Sequence, residues 1–467
     1  MFDNHKRGDD KPYIYRTDNR GKSWRAISGN LPDRGAVHTI AEDHVDPNLL
    51  FVGTELGLYY TQNRGRNWHQ LKAKFPTVAV RDLEIQRRES DLVIGTFGRS
   101  IYVLDDYSPL RTATDELKEA EATLFPVRDP WLYIEGDLWG PAGGKAYNGD
   151  NFWLAENPPF GAVFTYVLRD GLQSLSDIRR EAEKKLQKDG ADTAYPSWED
   201  LRAEDREDEP ALLVTITDAS GDVVRRFTAP HAKGLHRVAW DMRFESPDPA
   251  RLTPRGPSPF GNAPVGPMVL PGVYTAVLSK RINGVVTPVS EPQSFTVKAL
   301  NTSPEAAEDR GAVLAFQQET ADLTRAITGA NAASVEFRNR LAHLKVAVEA
   351  LTAPNDNQRA SIQQIETLLD DIDTALRGDR TIGSRNEPTP RSISARVSQI
   401  RSWGWYNQSP TTGSDKDSLA IAKQEFSTVL IELRNLEIRL ASLEAELERL
   451  GAPYTPDRGI PSWPLPE

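Results

Sequence analysis

Few residues in this chain have the types and spacing for chemistry. Asp105 and Asp106 follow the apolar run IYVL, and Arg99 lies just upstream in a Gly-Arg-Ser turn. Two carboxyl groups flanking a bond are what glycoside hydrolysis requires, and one variant of that chemistry uses a tyrosine nucleophile with a carboxylate partner and an arginine cluster. Neighbours in an extended strand point to opposite faces, so Asp105 and Asp106 make a poor catalytic pair. Arg99 has the reach to meet an anionic ligand, and equally to serve as a structural donor. These three are the candidate ligand-facing residues, and no residue is assigned a catalytic role.

Other chemistries find less support. The seven histidines (His5, His38, His44, His69, His231, His236, His343) show no close metal-binding spacing, although His38 and His44 flank an expected strand that also carries Glu42 and Asp43. No metal site is expected. Gly143-Gly144 and Gly261 lack a phosphate-loop or dinucleotide context, and Ser220 and Ser258 lack a nucleophile-elbow setting, so no cofactor is expected. The formal charge of −11 comes with no basic block, which argues against nucleic-acid and anionic-membrane partners. Cysteine is absent, which excludes disulfides and thiolate chemistry. The apolar runs are strand-sized, so no membrane span is expected, and the charged start MFDNHKRGDD has no apolar signal-peptide stretch.

The elements that must position these residues are organised as a repeat. TDNRGKSW (Thr17 to Trp24) recurs as TQNRGRNW (Thr61 to Trp68), an offset of 61 − 17 = 44. The likeness extends to VHTIAEDHVDPNLLFVGT from Val37 and VRDLEIQRRESDLVIGT from Val80, with Gly53-Thr54 matching Gly95-Thr96. Short apolar runs separated by Gly, Pro, Asn and Asp read as a four-stranded antiparallel meander, one propeller blade per unit. A third copy begins with SIYVLDD (Ser100 to Asp106) and then loses the glycine and tryptophan.

The spacing Ser/Thr-x-Asp/Asn-x-Gly-x-Ser/Thr-Trp resembles the Asp box of BNR-repeat proteins, a motif shared by sialidases, some xyloglucan hydrolases and the sortilin ectodomain. Thr17, Asn19, Gly21, Ser23 and Trp24 fill it once; Thr61, Asn63, Gly65 and Trp68 fill it again, with Asn67 departing at the Ser/Thr position. An Asx side chain accepts backbone N–H bonds, the glycine allows positive φ and the tryptophan buries a large surface between blades, so these residues are expected to be structural. GTFGRSIYVLDD, LFPVRDPW and NPPFGAVFTYVL, together with a helical tail, look like the C-terminal half of large bacterial proteins described as sortilin-like or BNR-repeat glycosyl hydrolases. Two blades and part of a third cannot close a propeller, so upstream blades, and with them any export signal, are expected to be missing from this chain. The resemblance implies an extracytoplasmic location.

Five segments follow. Residues 1–107 are the terminal blades of an Asp-box β-propeller. Residues 108–160 form an aromatic, Pro/Gly-rich connector with Phe125, Trp131, Tyr133, Trp139, Tyr147 and Trp153. Residues 161–300 are expected to form an Ig-like β-sandwich with surface insertions at 172–209 and 246–271, the second containing eight prolines. From 303 to 450 the apolar period is helical, with seams such as Ile362, Ile365, Leu369, Ile372 and Leu376, and Phe426, Val429, Leu433, Leu436, Leu440, Leu443, Leu447 and Leu450. These predict a bundle of three or four helices, with Glu444, Glu446, Glu448, Arg439 and Arg449 as solvated flanks. Residues 451–467 read as an extended Pro-rich tail. The expected function is that of a non-catalytic binding protein recognising a peptide, protein or glycan, with self-association through the bundle open. The alternative is a glycoside hydrolase whose catalytic groups lie mostly on missing blades.

Overall fold

The computed structural model describes every residue except 73–74, 114–118, 136–150, 152–154, 156, 251, 253–263, 301–307, 353–354 and 461–467. Trp139, Tyr147, Trp153, Gly143-Gly144, Ser258 and Gly261 therefore lie outside the described residues, as does the end of the tail from 461. Strands dominate the chain as far as Ala299, and a C-terminal helical region follows from Arg310. It divides into two compact units: Met1–Trp131, Ala155–Asp241 and Gly272–Lys298 form one; Leu132–Leu154, Met242–Pro271 and Ala299–Glu467 form the other.

The first unit opens with β1 (Phe2–Asn4) on β2 (Asp9–Tyr13), and β3 (Tyr15–Arg16) on β4 (Arg25–Ala26). A four-stranded meander follows: β5 (Val37–Glu42), β6 (Leu50–Thr54), β7 (Gly57–Thr61) and β8 (His69–Gln70), paired in that order. Then β9 (Val80–Gln86), β10 (Asp91–Thr96) and β11 (Ile101–Leu104) make a three-stranded meander. Alternation decides which way each strand faces: Leu50, Val52 and Tyr59 turn toward Ile14, Ile27 and Leu31, while Leu49, Phe51 and Leu58 turn toward Val80, Leu83, Leu92 and Ile94. The β5–β8 sheet thus buries one apolar face against the segment before it and the other against the β9–β11 sheet.

Beyond these sheets come β12 (Ala122–Leu124), β13 (Trp131–Leu132) and β14 (Ala162–Leu168). Helices α1 (Leu175–Lys188) and α2 (Trp198–Arg206) are followed by β15 (Ala211–Asp218), β16 (Val223–Ala229), β17 (Gly234–Trp240), β18 (Gly272–Ile282), β19 (Val285–Pro288) and β20 (Gln293–Ala299). The strands form two sheets, β12-β14-β17 and β13-β20-β18-β15-β16, with β19 on β18. Phe164 and Trp240 from the first meet Phe295 and Tyr274 from the second in edge-on ring contacts, so an aromatic layer fills the space between them. The β15–β16 hairpin closes where Asp218 accepts the N–H groups of Ser220 and Asp222 and Gly221 takes φ 87°. Helices α1 and α2 bury nothing. Serine caps start them, and Arg179 grips both oxygens of Glu204 to hold them together.

The second unit is dominated by α3 (Arg310–Glu349), α4 (Asp356–Arg377), α5 (Arg380–Gly383), α6 (Ile393–Gly404) and α7 (Gly413–Arg449). The heptad positions of α3, α4, α6 and α7 merge into one core around Leu344, Leu369, Leu436 and Leu440. Gly378 (φ 98°) and Gly451 (φ 67°) mark the ends of α4 and α7, and Ser392 caps α6. One expectation needs correcting. Glu444 is not a solvated flank: it is buried and takes both guanidinium N–H bonds of Arg340 from α3, at 3.0 and 2.8 Å. The heptad register placed it beside the seam, and only α3's arrival covered it. Within this unit the described part of the Pro-rich segment is also tied down, because buried Arg243 donates to Gly266 O and Trp405 O.

Candidate functional site

The two boxes are built alike. In the first, Gly21 N–H donates to Thr17 Oγ1 (2.8 Å), Ser23 N–H donates to Asn19 Oδ1 (2.8 Å), and Arg20 and Gly21 take positive φ. In the second, Gly65 N–H donates to Thr61 Oγ1 (3.1 Å), Asn67 N–H donates to Asn63 Oδ1 (2.9 Å), and Arg64 and Gly65 repeat the backbone. Asn67 thus fills the departing position through its main chain. The tryptophans differ. Trp68 is buried and donates its indole N–H to Ile27 O (2.9 Å), while Asn30 brackets its backbone; Trp24 lies exposed. The glycines differ likewise, since a Cβ on Gly65 would stand 2.6 Å from Ile27 O, whereas one on Gly21 meets only the Trp24 ring at 3.8 Å. Gly65→Ala is accordingly expected to cost about 2 kcal/mol and Gly21→Ala about 1 kcal/mol, the latter from backbone strain alone. Urea-dependent hydrogen exchange of β7 measures both, and equal costs would show that the packing contact is immaterial.

Asp105, Asp106 and Arg99 are not gathered into one site. Asp106 is buried with φ 43°, and its carboxylate caps the following turn through Ser108 N–H and Oγ. Arg237 of β17 donates to the Asp105 and Asp106 carbonyls. Burial, then the nearby Asp91 carboxylate, raises the Asp105 pKa. Arg99 is exposed in the β10–β11 turn. Nearby stands a buried ionic lock: Asp43 accepts Arg111 Nε and Nη2 (2.9 and 2.8 Å) and the Tyr107 hydroxyl (2.5 Å), and Arg111 also reaches Ser90 Oγ. Burial opposes the Asp43 charge, but those bonds and the Asp46 N–H outweigh it and hold its pKa at about 2. Every oxygen there is engaged, which suits a fastener better than a reactive centre.

A cleft of about 510 Å³ opens at the start of β5 and β9, lined by His5, Asp10, Arg34, Gly35, Ala36, His38, Glu55, Leu56 and Arg81. Its centre is a three-residue cluster. Glu55 Oε2 lies 2.7 Å from His38 Nε2 and 3.3 Å from Arg81 Nη2, and Arg81 Nη1 sits 3.2 Å from both ring nitrogens of His38. Glu55 accepts when His38 carries a proton on Nε2, while Arg81 Nη1 stands equidistant from the two ring nitrogens. Arg81 also stacks over the Phe97 ring at 5.3 Å. His38 and Arg81 each directly follow the valine that opens the first strand of a meander, Val37 and Val80, so the repeat places them at matching positions (81 − 38 = 43). That equivalence was the available signal. Glu55 and Arg81 belong to no local motif, and His38 is marked in the sequence only by Glu42 and Asp43 near it.

No family model matches the chain, and no curated protein matches it. Solved structures share pieces of it. One is an ancestral GH74 enzyme, 23% identical over 19% of this chain and 11% of its own, TM-score 0.17. Another is PorZ, a bacterial surface component of the type-IX secretion system of Porphyromonas gingivalis, 13% identical over 61% of this chain and 25% of its own, TM-score 0.17. A third is the extracellular domain of a one-component system from B. thetaiotaomicron, 12% identical over 62% and 28%, TM-score 0.18. The chain spans little more than a quarter of the longest-matched of these, and overlaps so slight carry no argument about its activity.

The cleft's own chemistry is therefore the guide. Its titratable lining consists of the carboxylates Asp10 and Glu55, the imidazoles of His5 and His38, and the guanidinium groups of Arg34 and Arg81. Of its two carboxylates, Glu55 is already shared between His38 and Arg81. No group of three or more His, Cys, Asp or Glu side chains is arranged to hold a metal ion among the described residues, and none of the described helices is long and apolar enough to cross a membrane.

Proposed function

We propose that this chain is a non-catalytic binding protein of the sortilin-like BNR-repeat class, and that the cleft around His38, Glu55 and Arg81 receives a peptide or glycan. The meanders are then terminal blades of an Asp-box β-propeller, the paired sheets an Ig-like spacer, and the location extracytoplasmic. One observation carries the reading: His38, Glu55 and Arg81 at the centre of the cleft are held by one another and by the Phe97 ring, which yields preorganised donors and acceptors. Arg34 adds an exposed cation at the rim.

Arrays of glycans and of peptides, probed with the fluorescently labelled chain, test this. Arg81→Ala is expected to weaken the strongest array ligand at least about tenfold, because it removes one charged contact and releases Glu55. Xyloglucan and a fluorogenic sialoside are expected to remain uncleaved. Sugar release that disappears in Glu55→Gln would sink the binding-only reading and favour a glycoside hydrolase.

A further inference from the structure

Two donors in the helical unit are buried without acceptors. Trp405 caps the end of α6 and is 3% exposed, and its indole Nε1 meets no acceptor among the described residues. Gln408 Nε2, three residues on, is buried and unpartnered in the same way. Neither group is free to turn aside. Arg243 Nη1 and Nη2 hold Trp405 O, and the Arg401 guanidinium, paired with Asp248, lies 4.8 Å from the centre of the Trp405 ring. Arg310 Nη1 donates to Gln408 Oε1 (3.3 Å), which sets the amide's orientation, because a flipped amide would turn a second donor on the guanidinium.

Trp405, Gln408 and Arg310 line one pocket with the apolar side chains of Leu132, Val269, Val313 and Leu314, and its whole lining belongs to the second unit. Atom centres have about 40 Å³ to occupy there, within an envelope of about 430 Å³ that opens to solvent, which admits several non-hydrogen atoms. The other two amides of the lining are engaged: Gln317 donates to Gly404 O, and Asn407 bridges Trp403 O and Ser409 N–H. No carboxylate lines the pocket among the described residues. A buried N–H without an acceptor forfeits its hydration, so two of them beside one cavity call for a guest that brings acceptors. We propose that this pocket binds a carboxylate carried on a short apolar stem. Its two oxygens answer the two N–H groups, the Arg310 charge favours the anion, and the stem lies on the apolar wall. The pocket is separate from the cleft of the first unit and does not depend on what that cleft binds.

Calorimetric titration and NMR of the tryptophan indole N–H groups in the 467-residue chain test the proposal. Isovalerate is the free-acid probe, a tripeptide ending in a leucine carboxylate is the chain-end probe, and each is compared with its carboxamide. The acids are expected to move one indole signal, the one that Trp405→Phe removes. Trp405→Phe and Gln408→Leu are each expected to weaken binding at least about tenfold, and the carboxamides to bind at least about tenfold more weakly than the acids. Tighter binding of the tripeptide assigns the carboxylate to a chain end, and tighter binding of isovalerate assigns it to a free acid. Gln408→Leu lies in the connection between α6 and α7 and keeps the test decisive if Trp405→Phe fails to fold by circular dichroism. Trp403→Phe, at a neighbour that is 72% exposed, is the control and is expected to change nothing. An indole signal that neither acid moves overturns the proposal and leaves the cavity to ordered water. Carboxamides that bind as tightly as the acids also overturn it, and so does binding that survives both substitutions.

Discussion

Trp68→Ala is expected to destabilise the stacked meanders by about 3–5 kcal/mol, as deletion of a buried tryptophan does, whereas Trp24→Ala is expected to cost no more than about 0.5 kcal/mol. The two residues hold the same place in the same turn. Removing Trp68 opens a cavity beside Ile14, Ile27 and Tyr59 and strips Ile27 O of its indole donor. Removing Trp24 deletes a side chain that touches little. Because several cores unfold in one chain, a single melting temperature does not report on the array. Hydrogen exchange of β6 and β7 against urea, read by mass spectrometry, isolates it. Equal effects at the two positions would refute the view that covering, and not the turn itself, gives the tryptophan its weight.

Breaking the ionic lock is the second large effect. Asp43→Ala is expected to cost about 3–5 kcal/mol, because it strands the Arg111 guanidinium and leaves the Tyr107 hydroxyl without its acceptor. Asp43→Leu combined with Arg111→Met is expected to cost less than Asp43→Ala alone, since no buried charge is then left over. Additive losses in that cycle would show that the two residues act independently. The lock also sets an acid limit. The folded pKa of Asp43, about 2, lies below the ordinary 3.8, so its contribution is complete above about pH 4 and disappears as the pH falls toward 2. The linked loss is about 2 kcal/mol. Exchange of β5 and β10 amides in acid, compared between the parent and Asp43→Leu/Arg111→Met, measures it; identical pH profiles would remove Asp43 from the explanation.

Local chemistry was the most legible part of this molecule. The Asx and threonine bonds of both boxes, the glycines that end α4 and α7 and the Ser392 cap all depend on residues within a few positions of one another, so their spacing already states their geometry. The heptad seams were legible for a related reason, because a helix repeats its environment every turn. His38, Glu55 and Arg81 were not, since they come from the first strands of two meanders and a turn that meet only when consecutive sheets stack. Asp43 looked like a residue beside a histidine, and Arg111 like a connector residue, until burial made them partners.

The sequence by itself determined the repeat, the turn geometry of its boxes and the change of period that separates sheet from helix. Tertiary structure decided everything that depends on neighbours. It buried Trp68 and left Trp24 in solvent, and it hid Glu444 beneath Arg340. The physical reason is that dihedral and hydrogen-bond preferences act over a few residues, whereas desolvation is set by whichever surface arrives from far along the chain.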